Sequence, residues 1–152
     1  NPKDKVQLRE LLKEFLEYTK KTYAKSTIKF TKTIKQKESA YINHYVKTFT
    51  NMKQSRFLVV EDNGVIVGYI LGQIKKNNYE KDLLRGELES FFITKHYRGK
   101  GLGKELFSEL SDWFKKKGCT QIILTVAAGN PAMNLYKKLG FEFTHYEMRK
   151  SL

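Results

Sequence analysis

Apolar residues Leu8, Leu11, Leu12, Phe15 and Leu16 recur at the i, i+3, i+4, i+7, i+8 spacing of one helical face, which predicts an amphipathic helix over 5–19. A second helix is predicted over 36–52, where Tyr41, Ile42, Tyr45, Val46 and Phe49 form the stripe. The intervening KSTIKFTKTI alternates only weakly, and loop, short strand and helix lead-in all stay open for it. The period then changes. RFLVVEDNGVIVGYILGQI sets two β-rich runs around Asn63-Gly64, a pair suited to a tight primed turn, and predicts a hairpin. NNYEKDLLRG is a polar connection, and ELESFFITK (87–95) reads as a further strand running straight into YRGKGLGKEL. From Leu102 the apolar positions 102, 106, 107, 110, 113 and 114 draw a helical stripe. The lysines at 115–117 suit its negative C-terminal end, and Gly118 suits its C-cap. QIILTV (121–126) is predicted as a buried strand. Asn130 is the expected N-cap of a last helix with Pro131 at its first position, Ala132, Leu135, Tyr136 and Leu139 on one face, and Gly140 at its end. FEFTHYEMRK closes the chain as a predicted strand.

Composition bounds the reading. The 152 residues suit a single domain over 1–152, and 40% hydrophobic with 13% aromatic content argues against disorder. No run of eighteen apolar residues occurs, so no membrane partner is expected. NPKDKVQLRE has neither an apolar signal core nor an arginine-rich transit pattern, and its opening on Asn points to a trimmed or processed chain. The lone Cys119 has no internal disulfide partner, which favours a reducing cytoplasm. Three His and one Cys fall at no ligand spacing, so no metal is expected. A net charge of +13 invites a nucleic-acid reading, but 24 of the 29 basic residues are Lys, whereas base readout and bidentate phosphate contacts lean on Arg. The lysines are dispersed, which favours a solvated basic surface; nucleic acid stays a weaker partner, and a polyanionic small ligand would satisfy the same charge locally.

YRGKGLGKEL places glycines at 99, 101 and 103 between a strand and a helix, with Arg98, Lys100 and Lys104 around them. This order leaves backbone N–H groups bare at a helix N-terminus, where the helix dipole adds positive potential and glycine permits close approach of a phosphate. Two common nucleotide motifs fail on spacing. Gly99 to Gly103 is one residue short for a P-loop, with Glu105 where Ser or Thr belongs, and the third glycine comes too early for a dinucleotide fingerprint.

R-x-x-G-x-G fits, as Arg98, Gly101 and Gly103. With it, ELESFFITKHYRGKGLGKEL and QIILTVAAGNPAMNLYKKLGFE, the latter carrying Asn130, Ala132, Tyr136, Gly140 and Phe141, resemble the GCN5-related N-acetyltransferase superfamily over roughly residues 56–146. The resemblance implies an α/β (α+β) fold with a mixed, mostly antiparallel sheet flanked by helices. Its central strand carries a bulge and splays from its neighbour, with 87–95 and 121–126 as the two walls. It implies that acetyl-CoA is the cosubstrate. The diphosphate would lie on Arg98, Gly99, Lys100, Gly101, Leu102, Gly103 and Lys104, and the pantetheine arm beside Phe91, Phe92 and Ile93, whose backbone would also polarise the thioester carbonyl. Asn130 would add a cofactor hydrogen bond to its capping role.

By the same resemblance Tyr136 would protonate the leaving thiolate, against the alternative of a core aromatic. Glu89 would accept the amine's proton directly or through water, against the alternative of a solvated or salt-bridged strand end. Plain alternation puts Glu87, Glu89 and Phe91 on one face and Leu88, Ser90 and Phe92 on the other. His96 reads as a surface residue, His44 and His145 have no supporting pattern, and Cys119 suits a small core position. The family opens with a strand, whereas here a helix starts near residue 5, so that strand is lost or trimmed, or the sheet edge is built otherwise. Direct transfer in a ternary complex to a small-molecule or peptide amine is implied. Polyamines, aminoglycoside-like amines, amino acids and protein amines all stay open as acceptors. The positive charge argues against steering of a polycation, unless Glu80, Asp82, Glu87 and Glu89 make a local acidic pocket. The reading of a different class is a catalytically silent domain whose basic surface contacts nucleic acid or protein. Pairing of two copies as a homodimer is compatible with either.

Overall fold

The computed structural model describes residues 2–22, 40, 42, 43, 45, 53–76 and 83–150. Helix α1 (Pro2–Thr22) is followed by the hairpin of β1 (Ser55–Asp62) and β2 (Val65–Lys76). Asn63 and Gly64 turn it with φ of 50° and 78°, the positive values a primed turn demands. Strand β3 (Leu84–Ile93) leads through a short 3-10 turn (Lys95–Tyr97) into α2 (Leu102–Lys116), then β4 (Cys119–Ile123) and the short α3 (Met133–Lys138). The sheet order is β1-β2-β3-β4. The first two pairings are antiparallel and β3–β4 is parallel, as a strand–helix–strand crossover allows.

Alternation along β2 builds two cores. Tyr69 joins Leu8, Leu11, Leu12, Leu16, Ile66 and Phe92 under α1. Its neighbour Ile70 joins Leu88, Ile93, Leu106, Leu110 and Phe114 under α2. The two helices therefore cover opposite faces of one sheet. Leu12, Ile70, Leu110 and Phe114 are fully buried, each stabilising by about 1.5–3 kcal/mol relative to exposure. Gln7 fixes α1 against the hairpin: its Nε2 donates to the Gly64 carbonyl at 3.0 Å, and its Oε1 accepts from the Ile66 N–H at 2.7 Å.

Ala40, Ile42, Asn43 and Tyr45 have helical backbone, and Ile42 is buried in the α1 core, consistent with the second predicted helix; its remaining residues and all of 23–39 lie outside the described residues.

Several expectations need correction. Strand β3 begins at Leu84 and ends at Ile93, since Leu84, Arg85 and Gly86 already pair with Lys76, Lys75 and Ile74. Strand β4 is shorter than 121–126 and only partly buried, because its pairing with β3 stops at Ile123 and β4 is the edge of the sheet. Residues 141–150 form no strand. Phe143 and Tyr146 instead stack with ring centroids 5.9 Å apart, a local contact an extended segment would not allow, since i and i+3 there point to opposite faces. The last helix starts at Met133, yet Asn130 still caps the turn before it, its Oδ1 accepting the Ala132 N–H at 2.9 Å.

Candidate active site

The sheet forks at its centre. β3 pairs with β4 only as far as Glu87↔Ile123, after which Leu88 to Ile93 continue along β2 alone. Within that stretch the β2–β3 register jumps from Leu71↔Ser90 to Gly72↔Leu88, which makes Glu89 the extra residue of a β-bulge. The bulge overturns the plain alternation. Phe91 lies with Leu88 and Ile93 in the α2 core, while Phe92 packs on Phe15 and Tyr18 of α1 at 5.6 and 5.9 Å. Ser90 also turns to the α1 side, its hydroxyl 2.8 Å from that of buried Tyr69.

At the mouth of the fork the chain turns sharply into α2. The backbone N–H groups of Gly99, Lys100, Gly101, Leu102 and Gly103 take no hydrogen bond among the described residues, whereas those of Lys104 and Glu105 bond the Gly101 carbonyl at 2.9 and 3.2 Å. Gly101 has φ 88°, a left-handed conformation that exposes these donors and that side-chain-bearing residues adopt at a cost. A Cβ at Gly99 would meet nothing within 4 Å. Gly103 has the opposite constraint: a Cβ there would fall 3.0 Å from Phe91 Cζ and 3.6 Å from Leu135 Cδ2. The missing side chain lets α2 sit down on β3 with α3 alongside.

The basic residues around the loop divide. Arg98 turns back into the protein, its Nε donating to the Ile93 carbonyl at 2.7 Å and its guanidinium lying 4.3 Å over the Tyr18 ring. It thereby ties loop, β3 and α1 together. Lys100 Nζ sits 4.9 Å over the Tyr97 ring, whose hydroxyl donates to Asp62 Oδ2 at 2.6 Å. That bond to a carboxylate is the first cause of the raised pKa of Tyr97. Lys104 is exposed and has no ion pair among the described residues.

Tyr136 packs from α3 against the α2-side core, its ring 5.9 Å from Phe141. Its hydroxyl is also an electrostatic neighbour of Tyr69, whose acidity is suppressed first by burial, against the Ser90 hydrogen bond, with Tyr45 and Tyr136 adding to the rise. Glu89 is mostly shielded and ion-paired to Lys75 at 3.4 Å, within the strand and not at its end.

Sequence reasoning missed the Tyr69–Ser90 pair and the inward anchoring of Arg98. A lone serine within the apolar ESFFI run was the one available signal for the first. His96 and His145 are exposed; His44, Glu80 and Asp82 lie outside the described residues. Cys119 belongs to a different place. It lines a cavity of about 300 Å3 with Phe107, Phe114, Ile122 and Phe141, and burial raises its thiol pKa, which disfavours a thiolate nucleophile. Among the described residues no group of three or more His, Cys, Asp or Glu could hold a metal, and no helix is long and apolar enough to cross a membrane.

A family model described as acetyltransferase (GNAT) family matches residues 8–141. An uncharacterised N-acetyltransferase of Methanocaldococcus jannaschii is 31% identical over 108 residues, 70% of this chain and 47% of that protein. A probable spermine N(1)-acetyltransferase of Bacillus subtilis subsp. natto is 40% identical over 72 residues, 43% of this chain and 45% of that one. The chain therefore spans about half the length of these two relatives. Among solved structures, a tetramutant protein of Bacillus halodurans superposes with a TM-score of 0.75 over 99% of this chain and 95% of that one, at 16% identity, a likeness of fold.

Proposed function

Because the chain belongs to the acetyltransferase (GNAT) family, we propose that it is an N-acetyltransferase that takes acetyl-CoA as donor and passes the acetyl group directly to a primary amine of a small molecule or peptide. One observation carries the reading: the run of N–H groups from Gly99 to Gly103, unbonded among the described residues, at the head of α2 beside the open fork of β3 and β4. Such donors, at the positive end of a helix dipole, suit a diphosphate. Lys104 and Lys100 would add charge at its rim; Arg98, spent on Ile93 and Tyr18, would hold the loop in shape.

Acetyl-CoA supplies an activated thioester, so the protein need only bind, orient and move protons. Backbone groups of Phe91, Phe92 and Ile93, which have lost β4 as a partner, would align the pantetheine arm and offer an N–H to the carbonyl oxygen. Asn130, whose Oδ1 is committed to the cap, would present its amide N–H₂ to the cofactor. Glu89 would take the proton from the incoming amine, and Tyr136 would return one to the departing sulfur. The free cysteine supports a cytoplasmic setting.

The test is thiol release from acetyl-CoA against a panel of primary amines, paired with calorimetric CoA binding by Gly101→Val. Valine is strained at φ 88° and covers the donors, so affinity should fall at least ~10-fold, about 1.4 kcal/mol. Unchanged affinity in a folded variant would remove the diphosphate site and the reading with it.

A further inference from the structure

Beyond the bulge, β2 and β3 bring two cations face to face. Lys75 and Arg85 are directly opposed in the ladder. Their neighbours Ile74 and Gly86 face α2: Ile74 packs in that core, and a Cβ on Gly86 would fall 2.7 Å from the Phe114 ring. Alternation therefore turns Lys75 and Arg85 to the α1 side of the sheet. Like charges directly opposed on a sheet repel, and such a pair calls for a counter-anion. Lys75 finds one in Glu89 at 3.4 Å. Arg85 finds none: its Nε is buried without a hydrogen-bond partner, and its guanidinium forms no ion pair among the described residues. Glu87, opposite Gln73 on the same face, pairs with neither cation.

We propose that Arg85 and Lys75 bind an anionic group, phosphate or carboxylate, carried by the acceptor, so that this enzyme selects amines that also bear a negative charge. The inference rests on the acetyl-transfer reading above. Arg85 offers a planar fork of donors suited to either oxyanion. Lys75 links the anion to the chemistry. An anion shared with Arg85 draws the ammonium away from Glu89 and leaves that carboxylate free to take the amine's proton. An acceptor without the anion meets a Glu89 still paired to Lys75. Arg85 and Glu89 are separated by roughly 13 Å of strand, which their side chains and Lys75 shorten, so anion and amine belong to one compact molecule or to adjacent residues of a peptide. A polyamine meets two cations here and is disfavoured.

The test compares amines matched but for the anion: ethanolamine with phosphoethanolamine, and 4-aminobutanol with 4-aminobutyrate, in wild type, Arg85→Gln and Lys75→Gln. The wild type should favour the charged member of one or both pairs by ~10-fold or more in kcat/KM, and the ratio should fall toward one in each variant. The two pairs tell phosphate from carboxylate. Retained acetyl-CoA affinity reports that fold and cofactor site are intact. Independently, inorganic phosphate should raise the thermal midpoint of wild type above chloride at equal ionic strength, and less so in Arg85→Gln. Selectivity ratios near one in wild type, or ratios unmoved by both substitutions, overturn the proposal. Thiol release absent with every amine removes the catalytic reading instead, and the phosphate shift then decides the anion site alone.

Discussion

A phenol can deliver a proton to a leaving thiolate only if its hydroxyl reaches the fork while its ring is held elsewhere. For Tyr136 the second half is given, its ring held 5.9 Å from Phe141 against the α2-side core, and the proposed role asks the first half of its hydroxyl. The core-aromatic alternative makes a different demand. If Tyr136 only packs, removing its hydroxyl changes little, because the ring contacts remain. Tyr136→Phe is therefore expected to lower kcat by ~10–100-fold, at or below the lower limit of general-acid effects because a thiolate leaves readily, while acetyl-CoA affinity moves less than about threefold. Steady-state kinetics with calorimetry separates the two, and an equal loss of turnover and affinity would make the residue a packing element.

At the scale of elements, α2 lies so close to the sheet because two strand positions beneath it lack side chains. A Cβ on Gly72 would meet Phe114 Cζ at 2.6 Å and Leu110 Cδ1 at 2.7 Å, both fully buried side chains with no room to yield. Gly72→Ala is expected to destabilise the chain by about 1–3 kcal/mol, read from denaturant midpoints, by overpacking that joint. A stabilised variant would mean that α2 can lift without loss. The joint also shows how far a single sequence reaches. The stripes of α1 and α2, the Asn63-Gly64 turn and the glycine loop are local patterns, readable because each element's own period or turn chemistry dictates them. The bulge at Glu89 is different in kind: it exists only in the register between β3 and β2, so plain alternation misplaced Phe91. The same holds for residues 141–150, whose alternating composition suits a strand but which join no ladder among the described residues. Arg85 was passed over for a similar reason, since only the strand pairing reveals that Lys75 lies opposite it.

For the whole molecule, a net charge of +13 carried mainly by dispersed lysines sets a long-range field, and the candidate diphosphate cradle opens within it. Coenzyme A is a polyanion, so this field should speed its approach without altering the chemistry once bound. The association rate measured by stopped flow is expected to fall on the order of 10-fold as ionic strength rises from about 0.02 to 0.5 M, because the Debye length shrinks from roughly 20 Å to a few ångströms. The turnover number at saturation should change little. Duplex DNA gives the contrast. A surface organised to track phosphates would lose affinity steeply and log-linearly with salt, with a slope set by the number of contacts. Dispersed lysines should give weak binding with a shallow slope. Salt-insensitive acetyl-CoA association together with a steep DNA slope would mean that the charge serves a nucleic-acid surface instead of the cosubstrate.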